Sequence, residues 1–117
     1  MSLLIWLSLI TCASLLPLYE HNVETGYNLF PFEDKLAHIV MYAGLAWLIG
    51  RRIITNGPYN WLLVIITSST YGILMEILQE LLNTGRQFEF YDILANIFGS
   101  LSGTMLIYML YKYKSKD

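Results

Sequence analysis

No charged residue occurs between Ser2 and Tyr19, and three further stretches of the chain are almost as apolar. That recurrence constrains the fold more than any other feature. A helix rises about 1.5 Å per residue, so about 20 mostly apolar residues cross a hydrocarbon layer roughly 30 Å thick. The second stretch, 35–54, has an apolar body from Leu36 to Ile49 broken by His38. The third, 60–82, is apolar apart from Glu76, Gln79, Glu80 and the hydroxyl cluster Thr67 to Thr70. The fourth, 91–111, has only Asp92 and Asn96 as strongly polar residues. None shows the period-two alternation of a barrel wall. The expectation is a single all-α domain over 1–117, a polytopic membrane protein of four transmembrane helices in an up-down-up-down bundle. The spans are placed at about 2–19, 35–54, 60–82 and 91–111.

Composition agrees: 56% of the 117 residues are hydrophobic and 14% charged, against about 25% charged in a soluble domain. One cysteine excludes a disulfide scaffold, and a net charge of −2 without a basic stripe argues against a nucleic-acid partner. The first stretch lacks the basic n-region and small-x-small cleavage site of a signal peptide, and Thr11 is too large for a lipoprotein box, so an uncleaved span is expected. Cys12 then falls within a helix as a buried apolar thiol. Five of the seven basic residues (Arg51, Arg52, Lys112, Lys114, Lys116) follow the second and fourth stretches, while eight of the nine acids lie toward the other side. The positive-inside rule makes both termini cytoplasmic, in a multi-pass protein of the cell membrane.

The polar residues inside these stretches are spaced to share helix faces. Asp34, His38 and Tyr42 are four apart; Glu76, Gln79, Glu80 and Asn83 follow at i, i+3, i+4, i+7; Asp92 and Asn96 are four apart and continue into Gly99, Ser100 and Gly103. Counted from the outer ends, His38, Glu76 and Asn96 reach a common depth of one to two turns. An ionisable group in lipid costs several kcal/mol, so these faces must meet one another or a wet cavity. The expectation is a polar pocket under the outer surface, covered by loops 20–33 and 83–90.

These residues resemble a known family. Asp34-Lys35-Leu36-Ala37-His38 with Tyr42 is similar to the D-K-x-x-H-x-x-x-Y signature of VanZ-like membrane proteins. Glu76 and Gln79 match its E-x-x-Q, Gly85-Arg86 its G-R, and Asp92, Asn96, Gly99 and Gly103 its D-x-x-x-N-x-x-G-x-x-x-G. The matches run in order over residues 34–103. The resemblance implies a membrane protein linked to resistance to glycopeptide antibiotics of the teicoplanin type, with no assigned reaction. Glu80 is an additional carboxylate for which the family suggests no role.

The candidate ligand-binding residues are therefore Asp34, Lys35, His38, Tyr42, Glu76, Gln79, Arg86, Asp92 and Asn96. Lys35 and Arg86 would attract anionic groups of a lipid-linked or envelope ligand, or of a glycopeptide, with membrane lipid as the general partner. In the alternative reading the chain is an enzyme acting on a lipid head group, with His38 or Glu76 as general base. Each candidate also has a structural role open to it. Asp34 and Asp92 can cap helices, Lys35 or Arg86 can pair with Glu76, and Asn96 can bond across helices. No cofactor motif is present. A metal site from His38, Glu76 and Asp92 is set aside at this level, because a single intramembrane His without a His or Cys partner is poor spacing evidence. Gly99 and Gly103 form a G-x-x-x-G step expected to pack the last helix within the monomer.

Overall fold

The computed structural model describes residues 2–15, 33–53, 60–82 and 89–115. Four helices are formed among them: α1 (Leu3–Leu15), α2 (Glu33–Ile53), α3 (Asn60–Leu81) and α4 (Phe90–Ser115). The helices coincide with the four apolar stretches, with small displacements at their ends. α2 begins at Glu33, which places Asp34 inside the first turn rather than at the cap position. α4 continues one turn beyond Tyr111, through Lys112 and Lys114, where cations complement the carbonyl end of the helix dipole. For α1 only residues 3–15 of the expected span are described, roughly 20 Å of helix at 1.5 Å per residue.

Each of the long helices buries one stripe. On α3 the buried positions are Val64, Ser68, Gly72, Met75, Glu76 and Gln79, and on α4 Asp92, Ala95, Asn96, Gly99, Ser100, Gly103 and Thr104. These intervals of three and four are the helical period. α2 contributes His38, Tyr42, Leu45, Ala46 and Ile49. The three helices pack against one another, α2 with α4 most extensively, and α1 lies against α2 and α3 without touching α4 among the described residues. Helices consecutive in the chain run in opposite directions, so α2 and α4 are parallel. The end of α3 meets the starts of α2 and α4, while Arg51 at the end of α2 shares a groove with Lys114 at the end of α4.

Gly99 and Gly103 set the closest approach. A Cβ at Gly99 would meet the backbone of Ile39, with Cα at 3.0 Å, and one at Gly103 would meet the backbone of Ala43, with the carbonyl carbon at 2.9 Å. The G-x-x-x-G step thus packs α4 on α2 inside the monomer, as its sequence suggested. The apolar core lies beside this seam, where Ile10, Tyr42, Leu45, Ala46, Ile49 and Val64 are buried together. Trp6 Nε1 donates to the Met41 carbonyl at 2.9 Å and fixes α1 to α2.

Outside and inside are inverted relative to a water-soluble bundle. Large apolar side chains are exposed on all four helices, among them Leu4, Val40, Ile66, Leu74, Phe98 and Met105, whereas His38, Glu76, Gln79, Asp92 and Asn96 are buried. Among the described residues, Asn60–Leu81 and Phe90–Lys114 are long and apolar enough to cross a membrane. α2, one residue shorter than α3, carries Glu33, Asp34, Lys35, Arg51 and Arg52 at its ends. Cys12 departs from expectation: it is exposed, not buried. α1 is apolar all round, so composition does not choose its packing face; contacts through Trp6, Ile10 and Ser14 do, and Cys12 is left outside.

Candidate functional site

His38 from α2, Glu76 from α3, and Asp92 and Asn96 from α4 converge near one end of the bundle. Their relative exposures are 3%, 1%, 6% and 1%. The helical period brings each inward, because each continues the buried stripe of its own helix. His38 Nδ1 lies 2.8 Å from Asn96 Oδ1. With the amide oxygen as acceptor, Nδ1 carries the proton and donates it. The same nitrogen is 4.0 Å from Glu76 Oε1, and on the far side of the ring Nε2 faces Asp92 Oδ2 at 3.8 Å. The imidazole is thus held between two carboxylates.

The ring plane is fixed from below as well. Tyr42, one turn along α2, lies parallel to it, with 5° between planes and 6.5 Å between centroids. Asn96 is held by its own packing: Gly72 on α3 leaves room for it, and a Cβ there would stand 2.8 Å from Asn96 Nδ2. That Nδ2 has no hydrogen-bond partner among the described residues. The serine and threonine hydroxyls further along the stripe are satisfied locally. Ser68, Ser100 and Thr104 donate to the carbonyls of Val64, Asn96 and Ser100, so they brace their helices rather than extend the cluster.

Toward the helix ends, the Lys35 ammonium donates to Asp92 Oδ1 and, at 2.5 Å, to Glu89 Oε2. The side chains of Lys35, Glu89 and Asp92 are 23%, 51% and 8% exposed, which makes this ion pair the rim between cluster and surface. Glu89 is not among the nine sequence candidates. Its place one residue before α4, three before Asp92, is the signal that puts it next to Lys35.

Of the nine sequence candidates, Lys35, His38, Tyr42, Glu76, Asp92 and Asn96 are brought together. Gln79 is buried but serves another contact: its Nε2 donates at 2.7 Å to the Ser14 carbonyl in the last turn of α1. Arg86 and the Asp34 side chain lie outside the described residues, as do Gly85, Asn83 and nearly all of loops 20–33 and 83–90. Glu80, one turn from Glu76, is exposed. A groove of about 450 Å³ lies at the opposite end between α2 and α4, lined by Trp47, Arg51, Ile107, Tyr111 and Lys114 among others.

The arrangement can hold and move a proton, because an oriented imidazole stands between two acids in a low-dielectric interior. It also presents three potential metal ligands within 4.8 Å of one another. No protein-family model matches the chain, and no curated protein or solved structure matches it significantly.

Proposed function

We propose that this chain is a VanZ-like integral membrane protein of the cell membrane, crossing it four times with both termini in the cytoplasm. Its buried cluster binds the polar head group of a lipid-linked or cell-envelope ligand. The observation that carries this reading is the inverted packing, with apolar side chains turned outward on all four helices around a closed set of ionisable and amide groups. In water such a surface would drive aggregation. In lipid it is the ordinary arrangement, and intramembrane ionisable groups mark function by default. Arg51, Arg52, Lys112 and Lys114 occupy the end opposite the cluster, which supports a cytoplasmic face there and an outward-facing site.

The ligand class follows from chemistry and from the family resemblance together. Lys35 at the rim and Arg86, in the stretch of chain between α3 and α4, are cations suited to a phosphate or carboxylate. A lipid-linked wall precursor carries such groups, and interference with its recognition would connect the protein to glycopeptide resistance. Native mass spectrometry of the purified protein with its co-purified lipids tests this directly. A bound polyprenyl phosphate or related anionic lipid, lost in Glu76→Leu, is the expected result. Bulk phospholipid alone, unchanged by that substitution, would overturn it.

One observation favours a second reading, a membrane-embedded enzyme acting on a lipid head group. His38 is oriented by Asn96 between Glu76 and Asp92, the geometry of a positioned general base. Under catalysis His38→Gln would still bind ligand but not turn it over. In a binding module, loss of binding and loss of phenotype would run in parallel.

A further inference from the structure

We infer that the cluster is a binding site for one divalent transition-metal ion of the zinc class, held by His38, Glu76 and Asp92. In the chain these residues lie far apart, with no second His or Cys beside them. Folding closes that separation: each comes from a different helix and their ligand atoms lie within 4.8 Å of one another. Donors around a tetrahedral ion with bonds of 2.0–2.2 Å stand about 3.3 Å apart, so an inward shift of roughly 1 Å per side chain closes the set. One imidazole with two carboxylates suits a borderline divalent ion, and three protein ligands leave one position open.

Two further features point to an ion. The first is the orientation of His38: Nδ1 donates to the side-chain oxygen Asn96 Oδ1 at 2.8 Å, and Nε2 is turned to Asp92 Oδ2 at 3.8 Å. That distance is too long for a hydrogen bond and close to the spacing of two ligands on one ion. Metal-bound histidines characteristically donate their second ring N–H to such an acceptor. The second is Asn96 Nδ2, in a side chain 1% exposed, which has no hydrogen-bond partner among the described residues. It is a buried donor on the same side chain that accepts from His38, and it lies beside Gly72 of α3. Asp92 divides its oxygens accordingly: Oδ1 receives Lys35, and Oδ2 faces the imidazole.

A divalent ion held there would present positive charge to an incoming phosphate. The inference shares its residues with the head-group reading and deepens it, but an ion would bind whether or not a lipid follows.

The test is metal analysis of the full chain in detergent, with any affinity tag removed, stripped of lipid and metal and then titrated with Zn²⁺ and with Co²⁺ as a spectroscopic probe. The expected result is one ion per chain and a Co²⁺ ligand-field spectrum of low-symmetry N/O coordination. His38→Gln, Glu76→Gln and Asp92→Asn should each weaken binding at least ten-fold, on the order of a tetrahedral site losing one of three ligands. Asn96→Ala should weaken it about 10–100-fold as the support of a ligating His. Glu80→Gln, an exposed carboxylate on the same helix, should bind as the parent does. Failure of the parent chain to bind either ion at micromolar concentration overturns the inference, as does equal binding by the three ligand variants. Because lipid is absent from the titration, a negative result leaves the head-group reading to be judged by its own lipid analysis. If a ligand variant fails to fold, the parent titration still decides.

Discussion

Substitution of Gly99 by alanine should separate α4 from α2. The added Cβ would meet the Ile39 carbonyl group and Cα, the carbon atoms at 3.0 and 3.1 Å, where carbon atoms prefer about 3.5–4.0 Å. The obstacle is backbone, so no rotamer change relieves it, and the helices must part by about 0.5–1 Å. Overpacking of this kind costs about 1–3 kcal/mol, while alanine in a helix interior returns about 1 kcal/mol relative to glycine. Because unyielding backbone puts the overpacking cost in the upper part of that range, about 2–3 kcal/mol, the net expectation is a loss of about 1–2 kcal/mol. Gly103→Ala should behave alike against Ala43, and the double variant should lose less than the sum, since one separation accommodates both. Gly44→Ala is the internal control. Its Cβ would meet the Trp6 indole, a side chain that can tilt away at the expense of its bond to the Met41 carbonyl. That bond and the helix-propensity gain are each about 1 kcal/mol, so little net change is expected. Reversible unfolding in a single detergent, with all four variants side by side, measures these differences. A Gly99→Ala protein as stable as its parent, or a Gly44→Ala protein weakened equally, would refute the backbone-contact argument.

Other perturbations separate the roles of the polar groups. Lys35→Met should destabilise by about 2–3 kcal/mol, below the range for a fully buried pair because Lys35 is 23% exposed; pairing it with Asp92→Asn should restore more than half in the same unfolding assay. Glu89→Gln should cost under about 1 kcal/mol, its carboxylate being half exposed, and a larger loss would show that Glu89 anchors the rim. Gln79→Leu removes the donor to the Ser14 carbonyl and should lower stability by about 1–3 kcal/mol, with earlier proteolysis or hydrogen exchange in α1 than elsewhere.

Helix positions were legible because length and apolarity alone identify them, and the cluster was legible because His38, Glu76, Asp92 and Asn96 are polar exceptions on apolar stretches. Spacing of four put Asp92 and Asn96 on one face, and the structure finds both buried. What the sequence did not encode is which apolar surface meets which. In α1 every face is apolar, so neither the exposure of Cys12 nor the bond from Gln79 to the Ser14 carbonyl could be read from periodicity. Those contacts depend on shape, and lipid chains are as apolar as leucine, so hydrophobicity does not distinguish neighbour from solvent. The partner of Lys35 was equally hidden, since Glu89 and Asp92 are 54 and 57 residues away along the chain.

The glycine seam has a consequence for anyone wishing to transplant this chemistry. Ile39 and Ala43, the two rungs that receive Gly99 and Gly103, immediately follow His38 and Tyr42 in the chain. A slip of one residue along the seam would carry the imidazole about 1.5 Å away from its carboxylates. A designer copying only the visible side chains into another scaffold would lose the register that aligns them. Two residues that bear no functional group would have to travel with the graft.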